Sequence, residues 1–312
     1  MKVICARGVR LKLLTRPKVA TIGVFDGVHR GHRRILGAVV AESKQRGLAS
    51  AVVTFDDHPT HRLSPFQKIP LLTPLDVKLS LLAREGIDLC YVLRFTDAVA
   101  SMAPEKFVRR VLLGRVRIAS LHIGEDFVFG RRGAGDAVLL EGLAKKFSFR
   151  LIVHPHLKSG RRVVSSTLIR HLLKQGNLGE ASSLLGRPVT LKGRVIPGDG
   201  RGRVLGFPTA NLEPDRDVLL PDGVYATWAV LGATVRRSLT YIGTKPTFAP
   251  RRTRQSVEVY LFDFDGRLYG RTIEVRFVRL IRPDRRFSCA ALLVRRMEAD
   301  LLAARRLLKN PL

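Results

Sequence analysis

Between Val19 and about His154, short apolar runs alternate with amphipathic stretches. "VATIGVF", "ASAVVTF", "LCYVLRF", "ASLHIG" and "RLIVHP" are brief and rich in β-branched and aromatic residues, the pattern of buried strands. Between them, Arg33 to Arg46, Thr73 to Arg84, Ala103 to Leu113 and Ala137 to Lys146 repeat apolar residues at helical spacing. Strand and helix in turn predict an α/β domain, a parallel sheet covered by helices on both faces. In such sheets ligands bind at the C-terminal ends of the strands.

The texture then changes. A helical stretch, "SSTLIRHLLKQGNLGEASSLLG", ends at Gly186, and period-2 segments follow: "VTLKGRVI", "GVYATWAVL", "RRSLTYIG", "SVEVYLFDF" and "TIEVRFVRLI". They are separated by Gly, Pro and Asp with no helical segment between them, which predicts a small antiparallel barrel or sandwich. The amphipathic "SCAALLVRRMEADLLAARRLL" reads as a closing helix with Ser288 as its N-cap. Two domains are expected, residues 1–184 and 185–312.

Charge narrows the partners. The 312 residues carry 55 Lys plus Arg against 26 Asp plus Glu, a formal charge of +29, so the surface attracts anions: nucleotides, nucleic acid or an acidic membrane. The excess is spread along both halves rather than gathered in a tail. A basic nucleic-acid-binding protein is the rival reading. One Trp, five Tyr and no nucleic-acid motif argue against it, so no specific nucleic-acid partner is expected. Lys and Arg interrupt the apolar pairs of the opening stretch, and no run approaches the ~18 apolar residues of a spanning helix. The expectation is a cytoplasmic protein without signal peptide or membrane partner. Cys5, Cys90 and Cys289 lack the spacing of a zinc or disulfide framework and read as small hydrophobes.

The first chemical signal is "GVFDGVHRGH", at the end of a strand and the start of a helix. Gly23 and Gly27 allow a tight turn and close approach to a ligand, and the following helix points N–H groups at it. The stretch is a phosphate seat but neither a Walker loop nor a dinucleotide turn. His29 and His32, on either side of Gly31, can donate hydrogen bonds to a phosphate as charge builds on it.

These residues resemble the nucleotidyltransferase motif of the bacterial bifunctional riboflavin kinase/FAD synthetases, and further segments match in order. "VVTFDDHP", "LLTPLDVKLSLLAREGID", "HIGEDFVFGRRGAGD" and "VSSTLIR" are each similar to a segment of that family. Asp57 departs from the family's usual Pro, and Val24 from its more common polar residue. The resemblance implies a Rossmann-like nucleotidyltransferase domain that transfers AMP from ATP to FMN. Gly23, Phe25, Gly27, Ser165, Ser166 and Thr167 would bind nucleotide and phosphate. His29 and His32 would hold the ATP phosphates, and Arg170, with Ser166 and Thr167, would neutralise the leaving pyrophosphate. Asp126 and Phe127 fall where the family contacts flavin or adenine; an exposed loop acid and a core aromatic is the alternative for that pair.

The second signal is "GDGRGRVLGFPTANL". Gly198 and Gly202 give a backbone able to wrap phosphates, and Thr209 with Asn211 offers hard oxygen ligands suited to magnesium. Glu258 alternates with Val257 and Val259 on a strand and so faces the opposite way. "GFPTAN" resembles the signature of riboflavin kinases. The resemblance implies an antiparallel riboflavin-kinase barrel in which Glu258 is the general base toward the ribityl hydroxyl and Thr209 and Asn211 hold Mg²⁺. ATP and Mg²⁺ would serve both sites, with riboflavin, FMN and FAD as substrates or products; the alternative within this reading is that only one of the two sites is active.

Overall fold

The structure, a computed structural model, describes residues 1–5, 16–64, 66, 68–245 and 254–309. They form two compact units, Met1–Ser166 and Thr167–Leu312.

The first unit is a parallel sheet of β1 (Lys2–Cys5), β2 (Lys18–Ile22), β3 (Ala49–Phe55), β4 (Leu89–Leu93), β5 (Ile118–Gly124) and β6 (Arg150–His154), in the order β1-β4-β3-β2-β5-β6. Alternation along the strands loads both faces. Val19, Val52 and Cys90 pack in one apolar cluster with Leu36 and Val39 of α1 (Arg30–Gln45). Ala20, Ile22, Val53 and Tyr91 pack in the other. Short helices α2 (Pro59–Leu63), α3 (Leu75–Arg84), α4 (Asp97–Ala100) and α5 (Pro104–Phe107) come next, with α6 (Ala137–Phe147) before β6. The helix expected over Ala103 to Leu113 begins as α5 and continues in wider, π-helical turns over Val108–Val116. Gly114 permits the widening, because a Cβ there would lie 3.0 Å from the carbonyl of Arg109, five residues back. From β2 the chain winds outward through β3 and β4, then returns to the other side of β2 for β5 and β6. The crevice of such a sheet opens where that reversal occurs, beyond the C-terminal ends of β2 and β5.

A small hairpin, β7 (Lys158–Ser159) with β8 (Arg162–Val163), completes this unit before α7 (Ser166–Lys174) and α8 (Leu178–Leu185). The sequence boundary near 185 and the structural division at Ser166 differ because α8 packs on the barrel strands that follow it, β9 (Val189–Ile196) and β14 (Thr272–Pro283).

The second unit is a closed antiparallel barrel. Its other strands are β10 (Ala210–Pro214), β11 (Gly223–Leu231), β12 (Thr234–Lys245) and β13 (Arg254–Leu261), and the ring runs β10-β13-β12-β11-β14-β9. The one-turn helix α9 (Arg201–Val204) precedes β10. The last helix, α10 (Ala290–Leu307), lies on β11, β12 and β14, where Ala304 packs with Val224, Trp228 and Leu239. Its N-cap is Cys289, one residue beyond the expected Ser288, and no side chain bonds there. Cys90 is a buried free thiol and Cys289 an exposed one; the Cys5 side chain lies outside the described residues.

Candidate active sites

A cavity of about 480 Å³ opens at the reversal point of the first unit, lined by Gly23 to Asp26 after β2 and by Gly124 and Asp126 to Gly130 after β5. His32 and Ser166 also line it. His29 is the N-cap of α1: its Nδ1 accepts the N–H of His32 at 3.3 Å, so a neutral ring carries its proton on Nε2. The two imidazoles are stacked with centroids 3.7 Å apart. Gly31 makes the stack possible, since a Cβ there would lie 3.1 Å from the His29 ring and 3.4 Å from the carbonyl of Val164. His32 is thus the histidine at the cavity wall, and His29, which is buried, supports it from behind.

The turn between β2 and α1 is held by residues that its own sequence does not reveal. Phe25, Gly27 and Val28 all have left-handed backbones, with φ of 53°, 80° and 38°, a region costly for Phe and more so for a β-branched residue. The buried carboxylate of Asp26 compensates. It accepts the N–H groups of Leu72 and Thr73 at 3.0 Å and the Thr73 hydroxyl at 3.3 Å. The Thr73 hydroxyl oxygen in turn accepts the N–H of Gly27 at 3.0 Å, and Ser166 Oγ donates to the Asp26 carbonyl at 2.9 Å. Ser165 immediately precedes that anchor, and Thr167 and Arg170 follow it on α7, Arg170 being buried. Asp126 is exposed and 3.9 Å from His156, whereas Phe127 stacks on Phe129 and packs against the core. Asp126 is thus an exposed loop acid and Phe127 a half-buried aromatic, and both border the cavity.

In the second unit the barrel interior is filled by side chains such as Val257, Val259 and Ile242, and the cavity lies on the outer wall. It measures about 330 Å³ and is lined by Thr209, Tyr241, Glu258, Asp284 and residues of α10 including Met297. Glu258 does face away from Val257 and Val259, which are buried. Thr209 Oγ1 donates to Glu258 Oε2 at 3.1 Å, and Asn211 stands opposite Glu258 in the β10–β13 register. The glycine loop folds over this group. A methyl at Gly198 would overlap the Asn211 side chain, and one at Gly202 would strike the Phe207 carbonyl and lie 3.1 Å from Thr209 Oγ1. Tyr241 faces Glu258 across the β12–β13 pair; burial and the bonded carboxylate of Asp284 push its phenol up to about 12. Asp300 of α10 is buried, with Arg282 Nε at 2.8 Å and Arg296 Nε at 3.1 Å, and so ties the helix to β14 beside the cavity.

Asp26, Tyr241 and Asp300 were not legible as site residues. Their partners lie 46, 17 and 18 positions away, and only strand register or helix docking brings them together.

Two separate cavities, one at a parallel-sheet reversal with paired histidines and one on a barrel wall with a Thr–Asn–Glu group, define a two-site phosphate-transferring enzyme. The FAD synthetase family model matches residues 12–168 and the riboflavin kinase family model residues 185–308. The chain is 36% identical to a bifunctional riboflavin kinase/FMN adenylyltransferase of Listeria monocytogenes, over 91% of this chain and 90% of the relative. It is 38% identical to one of Escherichia coli, over 92% and 91%. A crystal structure named as a macrolide-efflux protein from Streptococcus pneumoniae is similar over 97% of this chain and 98% of its own, with a TM-score of 0.87 and 28% identity. No helix among the described residues is long and apolar enough to cross a membrane. The chain belongs to the bifunctional riboflavin kinase/FMN adenylyltransferase family.

Proposed function

We propose that the two reactions are divided between the two cavities: FMN is adenylated in the first unit and riboflavin is phosphorylated on the barrel. The observation that carries this division is that each cavity is lined by its own polar groups, Asp26, His32 and Ser166 at the first and Thr209, Tyr241, Glu258 and Asp284 at the second. At the first, a phosphate oxygen of FMN attacks the α-phosphorus of ATP and pyrophosphate leaves. His32, the α1 N-terminus and the turn from Gly23 to Gly27 meet the charge that develops on the phosphate, with His29 orienting His32. Ser166, at the cavity wall, receives the pyrophosphate. Phe127 and Asp126 border the flavin end. This chemistry needs alignment and charge stabilisation rather than a protein nucleophile.

At the second, Glu258 accepts the proton of the riboflavin 5′-hydroxyl as that oxygen attacks the γ-phosphorus of ATP and ADP leaves. The Gly198–Gly202 loop wraps the phosphates. Beside Glu258, Thr209 and Asn211 offer hydroxyl and amide oxygens, hard donors that fit Mg²⁺. No group of three His, Cys, Asp or Glu among the described residues could hold a metal, so such an ion would depend on ATP phosphates for its remaining ligands. When bound it neutralises phosphate charge at either site. The reading also takes the protein to act in the cytoplasm on small molecules, with no specific nucleic-acid partner. Incubating the purified protein with riboflavin, ATP and Mg²⁺ and resolving the flavins should yield FMN and then FAD. Absence of either product would defeat the reading.

A further inference from the structure

On α3 a lysine stands where an apolar residue would pack. Lys78 is only 6% exposed, on a helix whose Leu75, Leu79 and Leu82 belong to the core beneath α1. Its Nζ donates to the carbonyl of Val24 at 3.2 Å and to that of Phe55 at 2.9 Å, so one ammonium joins the turn after β2 to the end of β3. Burial holds its pKa below the ordinary lysine value, against the opposing pull of the Asp26 carboxylate, then Cys90, Asp56 and Asp57. An apolar side chain of similar volume would often stabilise such a position as well or better. What the ammonium adds is direction.

The Val24 carbonyl also accepts Thr54 Oγ1 at 3.0 Å, so two donors fix one peptide group. In a trans peptide the carbonyl and the next N–H point opposite ways, which turns the Phe25 N–H away from Lys78. Val24 and Phe25 line the first cavity. Phe25 has φ 53°, so this peptide is held in a conformation that a non-glycine residue rarely takes. We propose that Lys78, together with Thr54, is a positioning residue for adenylyl transfer, fixing the Val24–Phe25 peptide so that the Phe25 N–H is presented to the reacting phosphate. The proposal rests on the reading of the first cavity given above. Lys78 touches no substrate; it acts through the turn.

The test compares Lys78→Met, Thr54→Val and His32→Ala in the full chain, measuring kcat and KM for FAD formation from FMN and the riboflavin kinase rate of the same preparations. Misplacing a charge-stabilising donor should lower kcat for FAD formation by about 10²-fold in Lys78→Met and about 10-fold in Thr54→Val. KM for FMN should stay within about threefold and the kinase rate within about twofold, because neither depends on that peptide. Thr54→Val keeps volume, so it decides the matter if Lys78→Met does not fold. Both variants retaining FAD formation within about threefold, while His32→Ala loses it, would overturn the proposal, and so would a loss confined to KM. FAD formation retained by His32→Ala would overturn the site reading, and the proposal with it.

Discussion

The hydroxyl of Thr209 donates to Glu258 Oε2 across 3.1 Å, although the two lie 49 residues apart. The bond joins the end of the glycine loop to the carboxylate on β13, and Asn211 takes its place opposite the same acid because β10 pairs with β13. Loop and strand are thereby fixed as one group.

Thr209→Val should therefore weaken riboflavin phosphorylation. It keeps the shape of the side chain, removes one of the oxygens proposed to hold Mg²⁺ and leaves Glu258 without this donor. A fall of about 10-fold or more in the kinase rate is expected, read as FMN formed from riboflavin, with FAD formation from supplied FMN unchanged. An unchanged kinase rate would remove Thr209 from the site.

The Asp26 clamp should matter to stability as well as to FAD formation. Asp26→Ala leaves the N–H groups of Leu72 and Thr73 buried without their acceptor, at a combined cost of about 2–4 kcal/mol. Urea unfolding of the first unit should shift accordingly. Asp26→Asn, which retains one acceptor oxygen, should lose less. Equal stabilities of the two variants would mean that the clamp is not what holds the turn.

Acid should destabilise the first unit through a cluster beneath its sheet. His122 is buried, with Nε2 2.8 Å from Glu42 Oε2 and Nδ1 2.9 Å from His154 Nε2. Burial holds the His122 pKa below its ordinary 6.5, outweighing the pull of Glu42; burial, then His122 and Arg34, lowers that of His154. The unfolded chain therefore takes up protons near pH 6.5 that the folded chain resists, and stability falls as pH drops below that value. Glu42 adds to the loss further down. Burial would raise its pKa, but bonds from Arg46 and His122 hold it below 4.5, so its stabilisation is present above that value and is lost as pH falls through the depressed one. The urea midpoint should be lower at about pH 5.5 than at about pH 7.5, and His122→Gln should narrow the gap. An unaltered gap would assign the acid sensitivity elsewhere.

The sequence made the architecture legible wherever a local pattern sets it. Both the alternation of strands and helices up to His154 and the period-2 strands after Gly186 are properties of neighbouring residues, and both appear in the fold. β1 escaped notice because its four residues, Lys2 to Cys5, give too short a run to separate from the basic stretch that follows. The widened turns over Val108–Val116 depend on how closely Gly114 approaches Arg109, which helical spacing does not encode. The motif histidines and glycines stand out by residue type and spacing, whereas Glu258 stands out only through the riboflavin-kinase resemblance, since a lone acid on a strand is also an ordinary solvent-facing residue. Lys78 does not stand out. Its spacing is that of an ordinary amphipathic helix, and its purpose depends on carbonyls 54 and 23 positions away.

The most direct test of the division between sites is a pair of assays on two variants. FMN formation from riboflavin and FAD formation from FMN are measured for Glu258→Gln and His32→Ala, with folding checked by circular dichroism. Glu258→Gln keeps the shape of the side chain but cannot take the hydroxyl proton, so FMN formation should fall by about 10²-fold or more while FAD formation persists. His32→Ala should do the reverse, accumulating FMN with FAD formation reduced by about 10²-fold. Loss of both activities in folded Glu258→Gln, or loss of FMN formation in His32→Ala, would contradict the account.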